Sequence, residues 1–290
     1  MQRPATVLAV VNQKGGVGKT TTAVNLAASF AVSERATLLI DLDPQGNASS
    51  AYGVLNPQPQ IYDALIGDCV MKDAVRPTQL EYLHLVASGP DLVGAEIELV
   101  SAEARERCLE RALADVRDQY EIIVIDCPPS LGILTLNALT AASAVLIPLQ
   151  CEYYALEGLA RLTDTMELVR SRLNPDLALS GIVLTMADLR SNLARQVEAE
   201  VCRHFGEQVF ATRIPRNVRL SEAPSHGKPI LLYDVHSKGA IAYLALAEEV
   251  MARIGRQASG RRPPALAVAA DGAGNESRPH DEPAEQEDAG

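Results

Sequence analysis

The stretch Gln13-Lys14-Gly15-Gly16-Val17-Gly18-Lys19-Thr20-Thr21 decides the fold of this chain. It follows a β-branched apolar run at residues 6–11 and leads into residues 20–32, where Ala and Leu recur at helical spacing. Glycines let backbone N–H groups turn inward around a phosphate, and the N-terminus of a helix adds partial positive charge. The order strand, glycine-rich loop, helix therefore predicts a phosphate-binding site.

Two lysines and a threonine give this loop its chemistry. Lys19 is expected to reach the β- and γ-phosphates of a nucleotide, and the Thr20 hydroxyl to ligate Mg²⁺. The general pattern has glycine five residues before Gly18, where this chain has Gln13, and a second lysine, Lys14, stands at the front of the loop. A glycine-rich turn with a chance lysine is the alternative, which the strand-loop-helix context disfavours. The predicted nucleotide-binding residues of the loop are Lys14, Gly15, Gly16, Val17, Gly18, Lys19, Thr20 and Thr21.

Three aspartates at strand ends belong to the same predicted site. Asp126 ends the apolar run 122–125, and a carboxylate at the tip of a buried strand beside a phosphate loop can hold Mg²⁺. Asp41 and Asp43 end the strand-like run 37–40, with a spacing that places both on the same side. One would support the metal shell, and the other would orient the water that attacks the γ-phosphate. Aspartate before Pro44 is also a common turn opener, which remains the alternative for this pair.

Alternating short apolar runs and helical stretches predict an α/β fold, with a mostly parallel twisted sheet and helices on both faces. Further strands are expected at 83–87, 144–148 and 182–185, and helices at 94–117, 156–173 and 192–205. We predict one domain over residues 1–255. Residues 256–290, rich in Gly, Pro, Ala and acidic residues, are expected to be a disordered tail.

Composition excludes several classes of protein. Of the 290 residues, 47% are hydrophobic, yet no apolar run reaches the ~18 residues of a membrane span. Five cysteines without a close pair indicate reduced cytosolic thiols rather than a disulfide frame or zinc site. No tryptophan and 4% aromatic residues argue against a stacking platform for single-stranded nucleic acid.

The net charge of the chain is −11, which disfavours binding to DNA over most of its surface. Residues 181–240, however, carry 8 basic and 6 acidic residues and are the only candidate surface for duplex DNA. A solvated helix face is the alternative for that stretch.

Several segments together resemble one family. Residues 14–21, Asp41-Leu-Asp-Pro-Gln-Gly-Asn47, Asp126-Cys-Pro-Pro129 and the segment 214–227 are similar to the ParA (Soj) chromosome-partitioning ATPases. These belong to the deviant Walker A group, which includes the MinD cell-division ATPases. The phosphate loop alone identifies the superfamily, and segment 214–227 narrows it to the chromosomal branch. The likeness covers roughly residues 5–254.

The resemblance implies an ATP- and Mg²⁺-dependent partitioning ATPase, slow until a partner stimulates it. ATP would close two subunits into a homodimer in which Lys14 reaches the partner's nucleotide. The ATP-bound dimer would hold double-stranded DNA without sequence preference and work with the centromere-binding protein ParB, in the cytoplasm on the nucleoid and not on a membrane. The implied site residues are Lys14, Lys19 and Asp43 for catalysis; Thr20, Asp41 and Asp126 for the metal; Pro215 and Asn217 for adenine; and Arg190 and Arg219 for DNA.

Three alternatives stay open. A membrane-associated ATPase of the MinD kind would need a C-terminal amphipathic helix, and Arg261-Arg262-Pro263-Pro264 followed by an acidic run disfavours one. An enzyme on the same scaffold could be an iron–sulfur reductase, which would want paired cysteines, or an ATP-using biosynthetic ligase. The third alternative is an ATPase that positions a non-DNA cargo, and the sequence barely distinguishes it from a DNA-partitioning ATPase.

Overall fold

Strands form the centre of the molecule. The computed structural model describes residues 5–152, 154–187 and 191–258. Within them one sheet contains β1 (Thr6–Val10), β2 (Thr37–Asp41), β3 (Val75–Pro77), β4 (Leu83–Val86), β5 (Ile122–Asp126), β6 (Ala144–Gln150), β7 (Ala178–Ala187) and β8 (Val209–Pro215). Their order across the sheet is β3-β4-β2-β5-β1-β6-β7-β8. Only the β3–β4 pair among these is antiparallel, which confirms the predicted mostly parallel sheet.

Helices cover both faces of this sheet. They are α1 (Lys19–Val32), α2 (Asn47–Ser50), α3 (Ile61–Ile66), α4 (Met71–Ala74), α5 (Leu92–Glu98), α6 (Cys108–Ala112), α7 (Ile133–Ala141), α8 (Ala155–Arg172), α9 (Asn192–Phe205), α10 (Val218–Glu222), α11 (Ile230–Tyr233) and α12 (Lys238–Ala258). Short 3₁₀ turns join several of them. The predicted helices 156–173 and 192–205 correspond to α8 and α9.

The two faces of the sheet bury separate apolar cores. Along β1, Val7 and Ala9 point into a core covered by α3 to α9, whereas Leu8 and Val10 point into one covered by α1, α2 and α10 to α12. This is the period of two expected of a strand that is buried on both sides. In open parallel sheets, ligands bind outside the carboxyl ends of the strands, which here are the ends of β1, β2 and β5 beside one another.

The predicted helix over residues 94–117 is wrong. The chain forms α5, then 3₁₀ turns, then α6, with Ala102 extended and Ala104 at a left-handed φ of 49°. Asn137 of α7 stabilises the break: its Oδ1 accepts from the Leu109 amide at 3.0 Å, and its Nδ2 donates to the Arg105 carbonyl at 2.8 Å. A side chain distant in sequence thus satisfies backbone groups that a continuous helix would have paired internally.

The helix α12 is clamped to the edge strand β8. The Glu249 carboxylate accepts from the Ala211 and Thr212 amides at 2.9 and 2.7 Å. The Arg253 guanidinium donates to the carbonyls of Ser180, Gln208 and Val209 and lies 3.9 Å above the Phe210 ring. These contacts cover an edge whose free amides would otherwise be unpaired.

The last helix passes the expected domain boundary at residue 255 and ends at Ala258. The remainder of the expected tail, residues 259–290, lies outside the described residues, so its disorder stays a prediction. Among the helices of the described ranges, none is both long enough and apolar enough to cross a bilayer.

Candidate functional site

The glycine-rich loop leaves β1 and enters α1, whose first amide groups have no side-chain cap. Gly16 and Gly18 have φ values of 75° and 85°, a left-handed conformation that favours glycine. Because Gly18 occupies the N-cap position and has no side chain, no side chain caps the first amides of α1. These amides, with the helix dipole, form an anion-binding end, and Thr20 and Thr21 lie in the first turn.

The loop is held in place by long-range hydrogen bonds. Asn12 Nδ2 donates to the Pro148 carbonyl at 2.7 Å, while its Oδ1 accepts from the Lys14 amide at 2.9 Å. Thr185 Oγ1 donates to the Val17 carbonyl at 2.8 Å. Anchors on β6 and β7 therefore fix the shape of the loop, so little ordering is left for a bound phosphate to impose.

Lys19 points back into the loop that it follows. Its side chain is largely buried, and Nζ donates to the Lys14 carbonyl at 2.9 Å. Burial lowers the pKa of Lys19, while the negative charges of Asp126 and Asp43 oppose that shift. A buried ammonium group beside two carboxylates is placed to meet phosphate charge at this end of the sheet.

Asp41 and Asp126 end neighbouring strands in register with each other. The Asp41 carboxylate is fully buried and saturated by the chain itself: it accepts from the Ser49 amide at 2.8 Å, the Ser49 hydroxyl at 2.7 Å and the Asp43 amide at 3.2 Å. Burial raises the pKa of Asp41 to about 6, against the effect of the Ser49 hydrogen bonds. Its carboxylate therefore organises the loop that carries Asp43.

Asp126 has the opposite environment. It is fully buried, and neither of its carboxylate oxygens has a hydrogen-bond partner. Burial and then the charge of Asp41 raise the pKa of Asp126 well above its ordinary value; the Thr20 hydroxyl is close enough to oppose the shift. An unpartnered buried carboxylate costs free energy unless a cation neutralises it. Asp126 and Thr20 are thus the residues that fit a divalent cation, and the saturated Asp41 fits it less well.

No group of three or more His, Cys, Asp or Glu side chains within the described ranges is arranged to hold a metal ion. Mg²⁺ is commonly bound by one or two carboxylates, with substrate phosphates and waters completing its shell. The pairing of Asp126 with Thr20 matches that pattern.

Sequence reasoning missed two serines that position Asp43. Asp43 is mostly buried, and its Oδ1 accepts from the Gln45 amide at 3.0 Å. Ser88 Oγ donates to the Asp43 carbonyl at 2.8 Å, and the Ser88 amide donates to Ser49 Oγ at 2.9 Å. No local pattern marks Ser49 or Ser88, because each acts through contacts made across the sheet.

The front lysine, Lys14, forms an ion pair with Glu152 of the same chain. Both side chains are about half exposed, at 46% and 45%. Glu152 lies between β6 and α8, at the same end of the sheet as the loop, and was not singled out from sequence. The Lys14 ammonium group therefore faces out of its own phosphate site.

The residues expected around adenine lie at the end of β8. Pro215 is the last residue of this strand and pairs in register with Ala187. Asn217 caps α10, since its Oδ1 accepts from the Arg219 amide at 2.9 Å. The Asn217 side-chain amide is thereby oriented by the helix that begins beside it.

The basic stretch is mostly paired with acids. Arg219 lies 2.9 Å from Glu222 and 3.6 Å from Asp234, and similar ion pairs join Arg203 to Glu200 and Arg213 to Glu198. Within this stretch the exposed cations for which no ion pair is found among the described residues are Arg195, Arg216, Lys228 and Lys238. Arg190 lies outside the described residues.

Similarity to known proteins agrees with this geometry. A family profile described as an AAA domain matches residues 5–179. The chromosome partitioning protein ParA of Myxococcus xanthus is 58% identical over 249 residues, which cover 85% of this chain and 88% of that protein. The chain belongs to the ParA/Soj family of chromosome-partitioning ATPases.

A second relative and a solved structure are also similar to this ParA-family chain. The sporulation initiation inhibitor protein Soj of Bacillus subtilis is 54% identical over 248 residues, covering 85% of this chain and 98% of Soj. The crystal structure of cobyrinic acid a,c-diamide synthase from Mycobacterium smegmatis, with bound ADP and magnesium, superimposes with a TM-score of 0.76 at 38% identity. That alignment covers 90% of this chain and 98% of the synthase.

Proposed function

We propose that this chain is an ATP-driven switch that partitions DNA. It binds ATP and Mg²⁺, closes into a homodimer, holds double-stranded DNA without sequence preference, and hydrolyses ATP slowly until a ParB-like partner stimulates it. It would act in the cytoplasm on the nucleoid. The observation that carries the proposal is the unpartnered buried carboxylate of Asp126 beside Lys19, in a chain 58% identical to a chromosome partitioning ParA.

The residues divide the hydrolysis reaction among them. Lys19 and the first amides of α1 would bind the phosphates, and Thr20 and Asp126 would hold Mg²⁺, which neutralises charge on the phosphate oxygens when bound. Asp43 would orient the attacking water. Asp41 would act indirectly, because Ser49 and the Asp43 amide bind its two oxygens and thereby fix the Asp43 loop. Pro215 and Asn217 would contact adenine.

Dimerisation would use the front lysine. Lys14 would leave Glu152 and reach the nucleotide of the second subunit. Closing two subunits over the phosphates removes water, which strengthens the attraction between a lysine and a phosphate. The γ-phosphate would then hold the dimer together, and hydrolysis would release it.

DNA binding would follow from dimerisation, because each subunit contributes one weakly basic surface. Arg216, Lys228 and Lys238 are exposed, and the short helices α10 and α11 that lie between them contact each other and α12. Arg190 and Arg219 are assigned to the same task, with Arg219 exchanging Glu222 for a phosphate. Two copies of such a surface give avidity that one copy lacks, with a steep salt dependence.

The test is binding of a fluorescent random-sequence duplex at two salt concentrations, with ATP, ADP or no nucleotide. ATP-dependent, salt-sensitive and sequence-indifferent binding is expected. A variant with Arg216, Lys228 and Lys238 changed to Ala should lose it, whereas Arg35→Ala, which removes an exposed cation paired with Glu121, should not. Absence of binding under every nucleotide would contradict the proposal and favour an ATPase with a non-DNA cargo or a ligase on this scaffold.

A further inference from the structure

An apolar stripe runs along the outer side of α5 and the turn that follows it. Leu92, Ala95 and Leu99 pack inward, which leaves Val93, Ile97 and Val100 on the outside. Their exposed fractions are 52%, 74% and 60%. Spacings of four and three residues align them on one side of a helix. We call these three residues the α5 stripe; contiguous exposed apolar residues are candidates for a surface that binds another chain.

Carboxylates surround the α5 stripe. Between residues 91 and 103 the chain carries Asp91, Glu96, Glu98 and Glu103 and no cation, and all four acids are exposed. The negative charge of this region also acts on Tyr62. The Tyr62 hydroxyl donates to Glu98 at 2.9 Å, and this hydrogen bond, together with the charges of Glu98, Asp68 and Asp63, raises the pKa of Tyr62. Arg105 lies at the far end of the stripe, where its guanidinium already contacts Glu106 and the Val100 carbonyl.

The α5 stripe is connected to both loops that carry the predicted catalytic carboxylates. Ser88, which bonds to the Asp43 carbonyl and to Ser49, lies four residues before α5. On the other side, Glu96 Oε1 lies 3.3 Å from the position that a Cβ on Gly132 would occupy, just before α7 and after the Asp126 loop. A chain bound to this surface would therefore press on both loops.

We infer that the α5 stripe is the docking surface for the partner that stimulates ATP hydrolysis, and that it binds a basic segment with aliphatic residues. The inference rests on the proposed function. Aliphatic residues of the segment fill the stripe while its Lys and Arg side chains meet Glu96 and Glu98, so charge complementarity selects the occupant. A second copy of this chain, packed stripe to stripe about a two-fold axis, would place these acids against their own copies.

The experiment measures ATP turnover as a function of added peptide. The probe is a synthetic peptide with the sequence of the most basic segment of the ParB-like protein from the same organism. The double variant Val93→Ser, Ile97→Ser should need at least about tenfold more peptide for half-maximal stimulation, as expected when central aliphatic contacts are lost. Its turnover without peptide and its ATP-dependent light scattering should stay unchanged. Leu168→Ser, which alters an equally exposed leucine of α8, is the matched control.

Charge is tested separately. Glu96→Gln with Glu98→Gln should weaken stimulation and flatten its salt dependence, and a peptide with its Lys and Arg changed to Glu should not stimulate.

Each of the other outcomes would overturn either the docking inference or the proposed function. Equal stimulation of the double variant and the unmodified chain would remove the α5 stripe from docking. Loss of ATP-dependent dimerisation in the double variant would make the stripe a subunit contact instead. If the peptide does not stimulate an unmodified chain that hydrolyses ATP and binds DNA, the docking inference is overturned and the ATP-dependent DNA binding of the proposed function still stands. Failure of hydrolysis and DNA binding themselves would overturn the proposed function.

Discussion

The ammonium group of Lys14 is paired with the carboxylate of Glu152, 138 residues away in the same chain. This contact keeps the front lysine outside its own phosphate site before a second subunit is present. An exposed ion pair contributes only about 0–1 kcal/mol, so the contact can be exchanged for a phosphate. If Lys14 reaches the nucleotide of a second subunit, as proposed, it must first leave Glu152.

Changing either member of this pair should alter dimerisation in opposite directions. Lys14→Ala should abolish ATP-dependent dimerisation, because it removes the ammonium group that is proposed to meet the nucleotide of the second subunit. Glu152→Gln should lower the ATP concentration needed for dimerisation by no more than about fivefold, the equivalent of about 1 kcal/mol. Light scattering at increasing ATP measures both, with Arg35→Ala as the control. A normal dimer of Lys14→Ala would remove this lysine from its role.

Replacing Asp43 with Ala should trap the ATP-bound dimer. The water that attacks the γ-phosphate would lose its orienting carboxylate, and turnover should fall by about 10²-fold or more. Phosphate release assays and the lifetime of the dimer after ATP is diluted measure the two effects. An unchanged turnover rate would count against Asp43 as the water-orienting residue.

Asparagine at the two strand-end aspartates should give contrasting results. Asp126→Asn should change the free energy of unfolding of the nucleotide-free chain little. The oxygens of Asp126 have no hydrogen bond to lose, and the lost attraction to Lys19 is offset by relief of the repulsion from Asp41. Asp41→Asn should lower it by about 1–3 kcal/mol, since an amide group would face the donors of Ser49 or Asp43. Urea denaturation without nucleotide compares the two.

The same two variants, Asp126→Asn and Asp41→Asn, test which aspartate holds Mg²⁺. Asp126→Asn should raise the Mg²⁺ concentration required for ATP hydrolysis more than Asp41→Asn does, as measured by Mg²⁺ titration of turnover. The reverse order would make Asp41 the principal metal-facing carboxylate.

Glu249 should make stability depend on acidic pH. Burial pushes the pKa of Glu249 up, but its hydrogen bonds from Thr212 and Ala211 outweigh this, so the pKa lies below its ordinary value of 4.5. The stabilisation is therefore fully present above pH 4.5 and is lost as the pH falls through the folded-state pKa. Glu249→Gln should cost about 1 kcal/mol at pH 7 and nothing at low pH, as measured by urea denaturation. Glu248→Gln, an exposed neighbour, should have little effect at either pH.

Two truncations should separate the tail from the clamp on β8. A chain ending at Ala258 should hydrolyse ATP like the full chain. A chain ending before Arg253 should be less stable by about 2 kcal/mol or more, because it loses three hydrogen bonds and the contact with the Phe210 ring. Thermal denaturation and ATP turnover of both chains test this. An inactive chain ending at Ala258 would show that the tail is needed for hydrolysis.

The sequence was sufficient where the signal is local. The glycine-rich loop, the strands around it and the helix Asn192–Phe205 follow from glycine placement and from apolar periodicity, which depend on neighbouring residues only. Asp41 and Asp126 could be brought together from sequence because parallel strands place their carboxyl ends at one edge. The family resemblance came from motifs of the same local kind.

Tertiary structure decided what depends on residues far apart in the chain. Asn137 breaks the expected 94–117 helix, and Glu152 holds Lys14. Ser49 saturates Asp41, whereas the oxygens of Asp126 have no hydrogen-bond partner. The apolar residues of α5 have helical spacing, but only packing shows which of them remain exposed. The spacing of apolar residues shows that a helix has an apolar face. What packs against that face depends on contacts that form only after the sheet has brought distant segments together.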